Sequence, residues 1–479
     1  MKKGEHKIIL STNIAETSLT IEDVTVVINS GKMKEKEYDP YLKLTFLKSS
    51  WVSKASARQR KGRAGRVRAG VCFHLCSKQR FDSLPEFQTS ELLRMPLEEL
   101  VLQTKQLGLA PGRCMEHNSV QGFLGKALNP PHHLSITNAV ELLTAINCLD
   151  DNESLTIIGD AISKLPCDPR VGRMMILGCI FGVSRAVVFL SSAMNYRDPF
   201  IMPTNDQQRV EVSKIKQMLS KNLSSDQFAL LKAIEGFDQQ MKRNNSSNAY
   251  RFCEQHHISK STMNYIYNLI SQLSETMKES GIYVNSHHNQ RNNNNAALIT
   301  SIIAMNLYPD YGLREFDKKL FATEKGRKAK VHPSSVNSKS TIYKQLCSSP
   351  VEAIVYQDLI SINNNEIPGS VGLAMLNTTP LSIFALLLTA SSIEDLSLSP
   401  IDDEEAKNED KYIKIELDQW LQMKIKKSVY ESIMSARKLL TAAMHEFIID
   451  SERFSKWKYA SLIDSIIQVL VIEQPTSSK

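Results

Sequence analysis

Two short segments of the sequence combine residue types and spacings suited to handling phosphate. The first is Gln59-Arg60-Lys61-Gly62-Arg63-Ala64-Gly65-Arg66. In a helix, Gln59, Arg63 and Arg66 fall at i, i+4 and i+7 on one face. Gly62 and Gly65 fall on another, where the missing side chains would let a neighbouring backbone approach closely. Two glycines cost such a helix about 1 kcal/mol each relative to alanine, so something other than helix stability shapes the segment. A guanidinium fork donates several hydrogen bonds to the equatorial oxygens of a transferring phosphoryl group and does not deprotonate, while a neighbouring glutamine can orient the attacking water. The same octapeptide also suits a plain basic patch for nuclear import or RNA. The second segment, Ser11-Thr12-Asn13-Ile14-Ala15-Glu16-Thr17-Ser18-Leu19-Thr20-Ile21, follows the apolar run Lys7 to Leu10. Hydroxyl and amide side chains at the carboxyl end of a strand hold phosphate oxygens well, although a Ser/Thr-rich helix cap has the same composition.

The positive charge lies where these segments lie. Residues 1–80 hold 17 Lys+Arg against 7 Asp+Glu, a net of +10, and the remainder carries 41 against 44, a net of −3, giving +7 overall. A basic block of this size is the footprint of a polyanion partner, with a solvated basic face as the plain alternative. At 42% hydrophobic and 23% charged residues over 479 positions, the composition is globular and the length suits roughly three or four domains; fibrous and wholly disordered classes do not fit. Eight cysteines without paired spacing, and no secretory signal at the start, point to a reduced intracellular compartment, cytoplasm and/or nucleus. Cys72, His74 and Cys76 would share a strand face, but without a fourth ligand they read as half-buried groups beside a polar edge, and no metal site is expected. The longest apolar stretch, Leu381 to Ala390, is about half of a membrane-spanning helix.

The elements that would position the two segments follow from periodicity. Lys7–Leu10 and Val24–Ile28 are expected as buried strands, Lys32–Tyr38 and Leu42–Leu47 as a hairpin turning at Asp39-Pro40-Tyr41, Ser53–Arg66 as a helix, and Val71–Cys76 as a strand. Leu93, Leu97, Leu100, Thr104 and Leu107 step by four, three, four and three, a helix with one buried face and Pro96 near its start. Leu134–Leu149 and several stretches between 156 and 280 repeat the helical period, among them Asp226–Met241 with a stripe of Phe228, Leu231, Ile234 and Phe237. Asn285–Asn295, rich in Asn, His and Ser, reads as a linker that buries little. Beyond it the pattern turns to strands: Val351–Tyr356, a run after Pro380, and Tyr412–Asp418, where Ile413, Ile415 and Leu417 alternate with polar residues. The acidic run between Asp402 and Asp410 reads as a solvated loop insert.

In this order and context the two segments resemble motifs V and VI of the second RecA-like lobe of DEAH/DExH-box (superfamily 2) RNA helicases, and the hairpin at 32–47 is similar to the strand-separating hairpin of that family. Glu91–Leu97 resembles the opening of a winged helix, Tyr196–Phe200 a segment of the helical ratchet (HA2-type) domain, and Val331–Ser335 a strand signature of an OB-like fold. Glu86-Phe87-Gln88-Thr89 with the following Leu-Arg-Met-Pro looks like the YTH-domain-containing branch, with the RNA helicase A branch next. The methyl-adenosine reader that names the former is not in the sequence, and its ligand is not carried over. Ser225-Asp226-Gln227 departs from the family pattern, which has His in third place. The resemblance implies a multidomain order: an α/β RecA-like lobe, partial, at 1–88; a winged helix at 89–155; the α-helical ratchet at 156–284; the Asn-rich linker at 285–295; a β OB-like fold at 296–425 with its acidic insert near 394–410; and a helical extension at 426–479.

The resemblance also implies roles. Gln59, Arg63 and Arg66 would meet the γ-phosphate of ATP, the arginines acting as fingers. Ser11, Thr12 and Asn13 would hold the RNA backbone, and Glu16 and Thr17 would join that turn to the nucleotide cleft. Movement along RNA would run 3′ to 5′. The sequence holds no G-x-x-x-x-G-K-[ST] loop and no Asp-Glu-x-His box, so ATP with Mg2+ would be held mainly by a first RecA-like lobe, an upstream partner. Hydrolysis by this chain alone is not expected. The alternative from another class is a truncated noncatalytic RNA-binding or regulatory clamp.

Overall fold

The turn chemistry of Asp39-Pro40-Tyr41 builds the most regular element near the N-terminus. In the computed structural model, strands β2 (Lys32–Asp39) and β3 (Leu44–Trp51) pair antiparallel from Lys32↔Trp51 to Asp39↔Leu44. Asp39 Oδ1 accepts from the backbone N–H groups of Tyr41 at 2.9 Å and Leu42 at 3.1 Å, an Asx turn closing the hairpin. Gly31, at φ +71°, admits the chain to β2; a Cβ there would stand 3.0 Å from the Trp51 ring. The structure describes residues 7–17, 21, 23–66, 69–113, 116–203, 205–221, 223–243, 246–282, 290–314, 320–323, 327–338, 353–363, 371–390, 393–395, 412–418, 420–451 and 459–472.

The chain forms two compact units. The first, Met1–Leu97 with Leu124–Ser135, holds α1 (Ile14–Thr17), β1 (Val26–Asn29), the hairpin, α2 (Lys54–Gly62), β4 (Val71–His74) and α3 (Lys78–Asp82). β1 and β4 pair in parallel, Val26↔Val71 to Asn29↔His74. Lys7–Leu10 is not a strand: an apolar run becomes one only beside a ladder, and among the described residues this sheet has two strands, leaving Ile8 and Leu10 exposed. For the same reason β1 forms at 26–29 but Ile28 stays 69% exposed, where a buried strand was expected. Ser53 caps α2, its Oγ accepting from the N–H of Ser56 at 3.1 Å. The helix stops at Gly62 rather than Arg66, because Arg63, Ala64 and Gly65 switch to i−3 hydrogen bonds. A Cβ on Gly62 or Gly65 would meet nothing, so these glycines end the helix instead of admitting a close neighbour.

The second unit is Glu98–Phe123 with Ile136–Lys479. The helix expected from Leu93 is α4 (Glu98–Gln106); Leu93 ends a short 3-10 turn, Leu107 lies past the helix, and both are exposed. The segments Val120–Leu124 and His133–Ala145 form α5 and α6. Among the described residues of 89–155 the one strand-like pairing is the bridge Leu149↔Leu155. Next come α7 (Ile157–Ser163), α8 (Pro169–Ile180), α9 (Ser184–Met194), α10 (Asp206–Leu219), α11 (Asp226–Lys242), α12 (Ser246–Gln255) and α13 (Lys260–Glu279). The stripe Phe228, Leu231, Ile234 and Phe237 on α11 is fully buried.

Residues 285–289 of the expected Asn-rich linker lie outside the described residues, and 290–295 make specific hydrogen bonds. Asn292 donates to Phe181 O at 2.8 Å through Nδ2 and to Gly182 O at 2.8 Å through its backbone, and Asn295 caps the next helix. Asparagine there terminates turns and caps helices, which composition alone reads as low complexity. That next helix, α14 (Ala296–Leu307), opens the region expected to be β; it is apolar on all sides and buried. After it, β5 (Tyr311–Arg314), β6 (Phe321–Thr323), β7 (Arg327–Val331), β8 (Ala353–Asn363) and β9 (Val371–Leu381) close a barrel in the order β5-β6-β7-β9-β8. The run after Pro380 is a helix, Ile383–Thr389, not a strand, because Ser382 caps it. Strands β10 (Ile393–Asp395), β11 (Tyr412–Leu417) and β12 (Leu421–Lys426) form a separate sheet with Ile413, Ile415 and Leu417 buried, and helices Lys427–Ile449 and Ala460–Ile472 follow. The acidic run lies outside the described residues.

Ser225-Asp226-Gln227 ties α11 to the barrel. Asp226 accepts from Ser335 Oγ, from the N–H of Val336 at 2.9 Å, and from the N–H and Oγ1 of Thr378 at 2.9 and 3.3 Å. Burial pushes its carboxyl pKa up against the pull of Lys216 and these bonds. Ser225 Oγ lies 2.6 Å from Thr379 Oγ1, and Gln227 donates to Asn377 O at 2.5 Å and accepts from Thr379. The unusual Gln227 thus uses both ends of its amide on β9, and Ser335 of the Val331–Ser335 segment completes the joint.

Candidate functional site

The basic octapeptide Gln59–Arg66 folds with its charge on two sides. Ser53, Ser56, Ala57, Arg60 and Ala64 face inward from α2 and the turn after it, while Gln59 and Arg66 are exposed and Arg63 is half-buried. Arg60 is the centre of the inner side. Its Nε donates to Glu16 Oε2 at 2.9 Å, and its Nη1 donates to Asn29 Oδ1 at 2.9 Å and Lys32 O at 3.2 Å. Arg63 Nη2 donates to Glu16 O. Two arginines therefore grip the two ends of one residue, its carboxylate and its carbonyl, and lock the short α1 onto α2. The Arg60–Glu16 pair is 15% and 11% exposed, so solvent screens it little.

Asn29 extends the cluster. Its Oδ1 also accepts from Gly31 N–H at 3.0 Å and its Nδ2 sits 3.0 Å from His74 Nδ1, which fixes the ends of β1 and β4 together. His74 in turn lies 3.8 Å from Cys72 Sγ; burial pushes that thiol pKa up, with Lys61 opposing. Ser11, Thr12 and Asn13 stand exposed just before α1, where Thr12 O and Asn13 O accept from the N–H groups of Ala15 and Glu16. Thr17 ends α1; its side chain lies outside the described residues.

The structure thus brings Glu16 and Arg63 together, leaves Gln59 and Arg66 facing outward, and sets Ser11, Thr12 and Asn13 at the open end of the same short helix. Arg60 and Asn29 were missed from sequence. The signal for Arg60 was present: Ser53, Ser56, Ala57 and Ala64 form a stripe of small residues at helical spacing, and Arg60 lies within it.

A second cluster holds the hairpin. Glu35 accepts from Arg94 Nη1 at 3.0 Å, Gln88 Nε2 at 2.7 Å and Ser50 Oγ at 3.0 Å, and Arg94 O accepts from Tyr38 N–H at 3.0 Å. Gln88 and Arg94 belong to the two segments that looked like a helicase branch signature, and here they fasten β2. At the hairpin base Lys32 Nζ lies 3.7 Å from the centre of the Trp51 ring.

Residues 1–68 match the family described as helicase conserved C-terminal domain, and residues 168–251 match that described as helicase associated domain (HA2), ratchet-like. Curated relatives agree with both. The DExH-box ATP-dependent RNA helicase DExH1 of Arabidopsis thaliana is 37% identical over 344 residues, covering 71% of this chain and 33% of that protein. The ATP-dependent DNA/RNA helicase DHX36 of Homo sapiens is 32% identical over 354 residues, with the same two coverages. This chain belongs with the DExH/DEAH-box helicases. It corresponds to their C-terminal portion and spans about a third of the length of these relatives. Within the helicase match fall α1, the hairpin and α2; within the HA2 match fall α8 to α11 and the Ser225-Asp226-Gln227 joint.

The exposed guanidinium of Arg66 and the amide of Gln59 fit the phosphate end of ATP, where they would donate to phosphoryl oxygens and orient water. The fit ends there: no group of three or more His, Cys, Asp or Glu suited to a metal occurs among the described residues, and the sequence lacks the glycine-rich loop that cradles phosphates.

Proposed function

We propose that this chain is the RNA-gripping, ATP-responsive part of an ATP-dependent RNA helicase working 3′ to 5′. The observation that carries the proposal is the double arginine grip on Glu16: it couples the Ser11-Thr12-Asn13 turn, proposed to hold the RNA backbone, to the segment proposed to meet ATP. Gln59, Arg63 and Arg66 contact the γ-phosphate, and Glu16 with Thr17 conveys the state of that cleft to the RNA turn. Mg2+ and the remainder of ATP are held by a first RecA-like lobe; bound there, Mg2+ neutralises charge on the phosphates. Residues 89–155 act as a winged helix, the helical region as a ratchet, and the barrel as an OB-like fold. The setting is the reduced interior of the cell, cytoplasm or nucleus.

The test joins this chain to such a lobe and measures RNA-stimulated ATP hydrolysis. Arg66→Ala is expected to lower turnover by about a thousandfold or more while RNA affinity stays near wild type. Retained turnover would overturn the assignment of Arg66. Salt-sensitive RNA binding by this chain, with no hydrolysis even beside a first lobe, would favour a noncatalytic clamp.

A further inference from the structure

The helical region carries a surface that none of these roles uses. The segment after α9 is stitched to the start of α13: Phe200 bridges Ile258, Ile201 N–H donates to His257 O at 2.8 Å, and Ser259 N–H donates to Pro199 O at 2.8 Å. That stitching sets Tyr196 against Tyr265 of α13, with ring centroids 4.3 Å apart and planes 31° apart. The Arg197 guanidinium lies 5.7 Å from the centre of the Tyr196 ring. The two rings remain 40% and 48% exposed. Among the described residues, neither tyrosine hydroxyl forms a hydrogen bond and no carboxylate or carbonyl pairs with Arg197. Asp198, the next residue, is engaged elsewhere, by Lys216 at 3.2 Å and the N–H of Phe200 at 2.9 Å. Tyr250 also lies against α13, its hydroxyl 3.5 Å from Asn264 Nδ2 and its ring centre 5.5 Å from Lys260 Nζ, a lysine also paired with Glu254.

Rings placed to stabilise a core are covered, and this pair is half open. A guanidinium placed for stability finds a carboxylate, and among the described residues Arg197 has none. Two close, tilted and half-open tyrosine rings beside a cation match the two needs of a single-stranded polyanion, flat faces for its bases and a positive charge for its phosphates. We propose that Tyr196, Tyr265 and Arg197 form a platform for unpaired bases of single-stranded RNA. The proposal rests on the RNA-binding reading above and adds a place and a mode of contact.

Fluorescence anisotropy on the whole chain tests it with two labelled oligomers of equal length, one of uridines and one with abasic sugars on the same phosphate backbone. Wild type is expected to bind the uridine oligomer more tightly. Tyr196→Ala with Tyr265→Ala should weaken that binding by about tenfold and leave the abasic titration unchanged, since stacking is lost and phosphate contacts stay. Phe at both positions should restore the preference. Arg197→Gln, at an exposed site where the fold is not at stake, should weaken both titrations and flatten their salt dependence by about 0.7 in log–log slope. Wild-type behaviour of the Ala pair and of Arg197→Gln would overturn the platform while RNA binding elsewhere stood. Failure of the wild-type chain to bind either oligomer would overturn both.

Discussion

Arg60 joins three backbone segments that are distant in sequence: the Glu16 carboxylate on α1, the Asn29 amide at the end of β1, and the Lys32 carbonyl at the start of the hairpin. Lysine cannot serve all three, since its single ammonium lacks the planar fork. A double-mutant cycle of Arg60→Ala and Glu16→Gln, read by urea unfolding, is expected to give a coupling of about 1–3 kcal/mol, because the pair is largely shielded and hydrogen-bonded. A coupling near zero would mean that α1 is held by other contacts. Arg60→Lys should recover part of the Glu16 term and leave Asn29 Oδ1 with Gly31 N–H alone. The site was legible to the extent that the octapeptide and the Ser/Thr turn were both singled out and do meet through Arg63 and Glu16. The sequence could not say which arginine points inward, because spacing defines faces of a helix and burial is decided by what packs against them. Gln59, Arg63 and Arg66 share a face on spacing, yet the helix ends at Gly62 and Arg63 turns to donate to Glu16 O of α1.

Asp226 shows how an element is fixed by a few polar atoms. Four donors converge on one carboxylate at the start of α11, and an amide in its place could accept at only one end and would aim N–H groups at N–H groups. Asp226→Asn should therefore cost about 2–4 kcal/mol at neutral pH, measured by chemical denaturation. The pH dependence carries a definite sign. Burial holds the folded carboxyl above its ordinary value, so the folded state binds the proton more tightly, and this contribution is present at low pH and lost as pH rises through the folded pKa. The deficit of the variant should widen as pH falls from neutral toward about 4, the ordinary carboxyl value. A deficit that narrows on acidification would mean that Asp226 is held ionised instead. Asp168 has the opposite sign: burial raises its pKa, but the charge and hydrogen bonds of Arg170 outweigh that and hold it low, so its contribution is lost on acidification. Taking the difference between wild type and variant removes this background. At this scale period and caps read well: the α11 stripe, the β11 alternation and the hairpin turn all formed as expected. The run after Pro380 did not, because one capping Ser382 outweighs local composition and starts a helix there.

At the scale of the whole molecule, charge divides more sharply than hydropathy. The +10 of residues 1–80 falls in the first unit, along with the hairpin and the Arg60 cluster, whereas the remainder is near neutral. If RNA is the polyanion, most of the salt-dependent binding energy should originate in that unit, and stacking on the helical region should contribute a part that salt leaves alone. The hairpin provides a direct check. On β2, Lys34 and Lys36 are exposed while Glu35 between them is turned toward Arg94, Gln88 and Ser50, so the two lysines can be changed without touching what holds the strand. Lys34→Gln with Lys36→Gln, titrated with single-stranded RNA across a series of salt concentrations, should reduce the log–log slope by about 1.4, at about 0.7 for each phosphate contact on a single strand. Thermal unfolding should be unchanged within error, since both side chains are solvated. An unaltered slope would place the RNA path away from the hairpin, and the basic block would then owe its charge to another face of the unit, Gln59 to Arg66 being the first to test by the same titration.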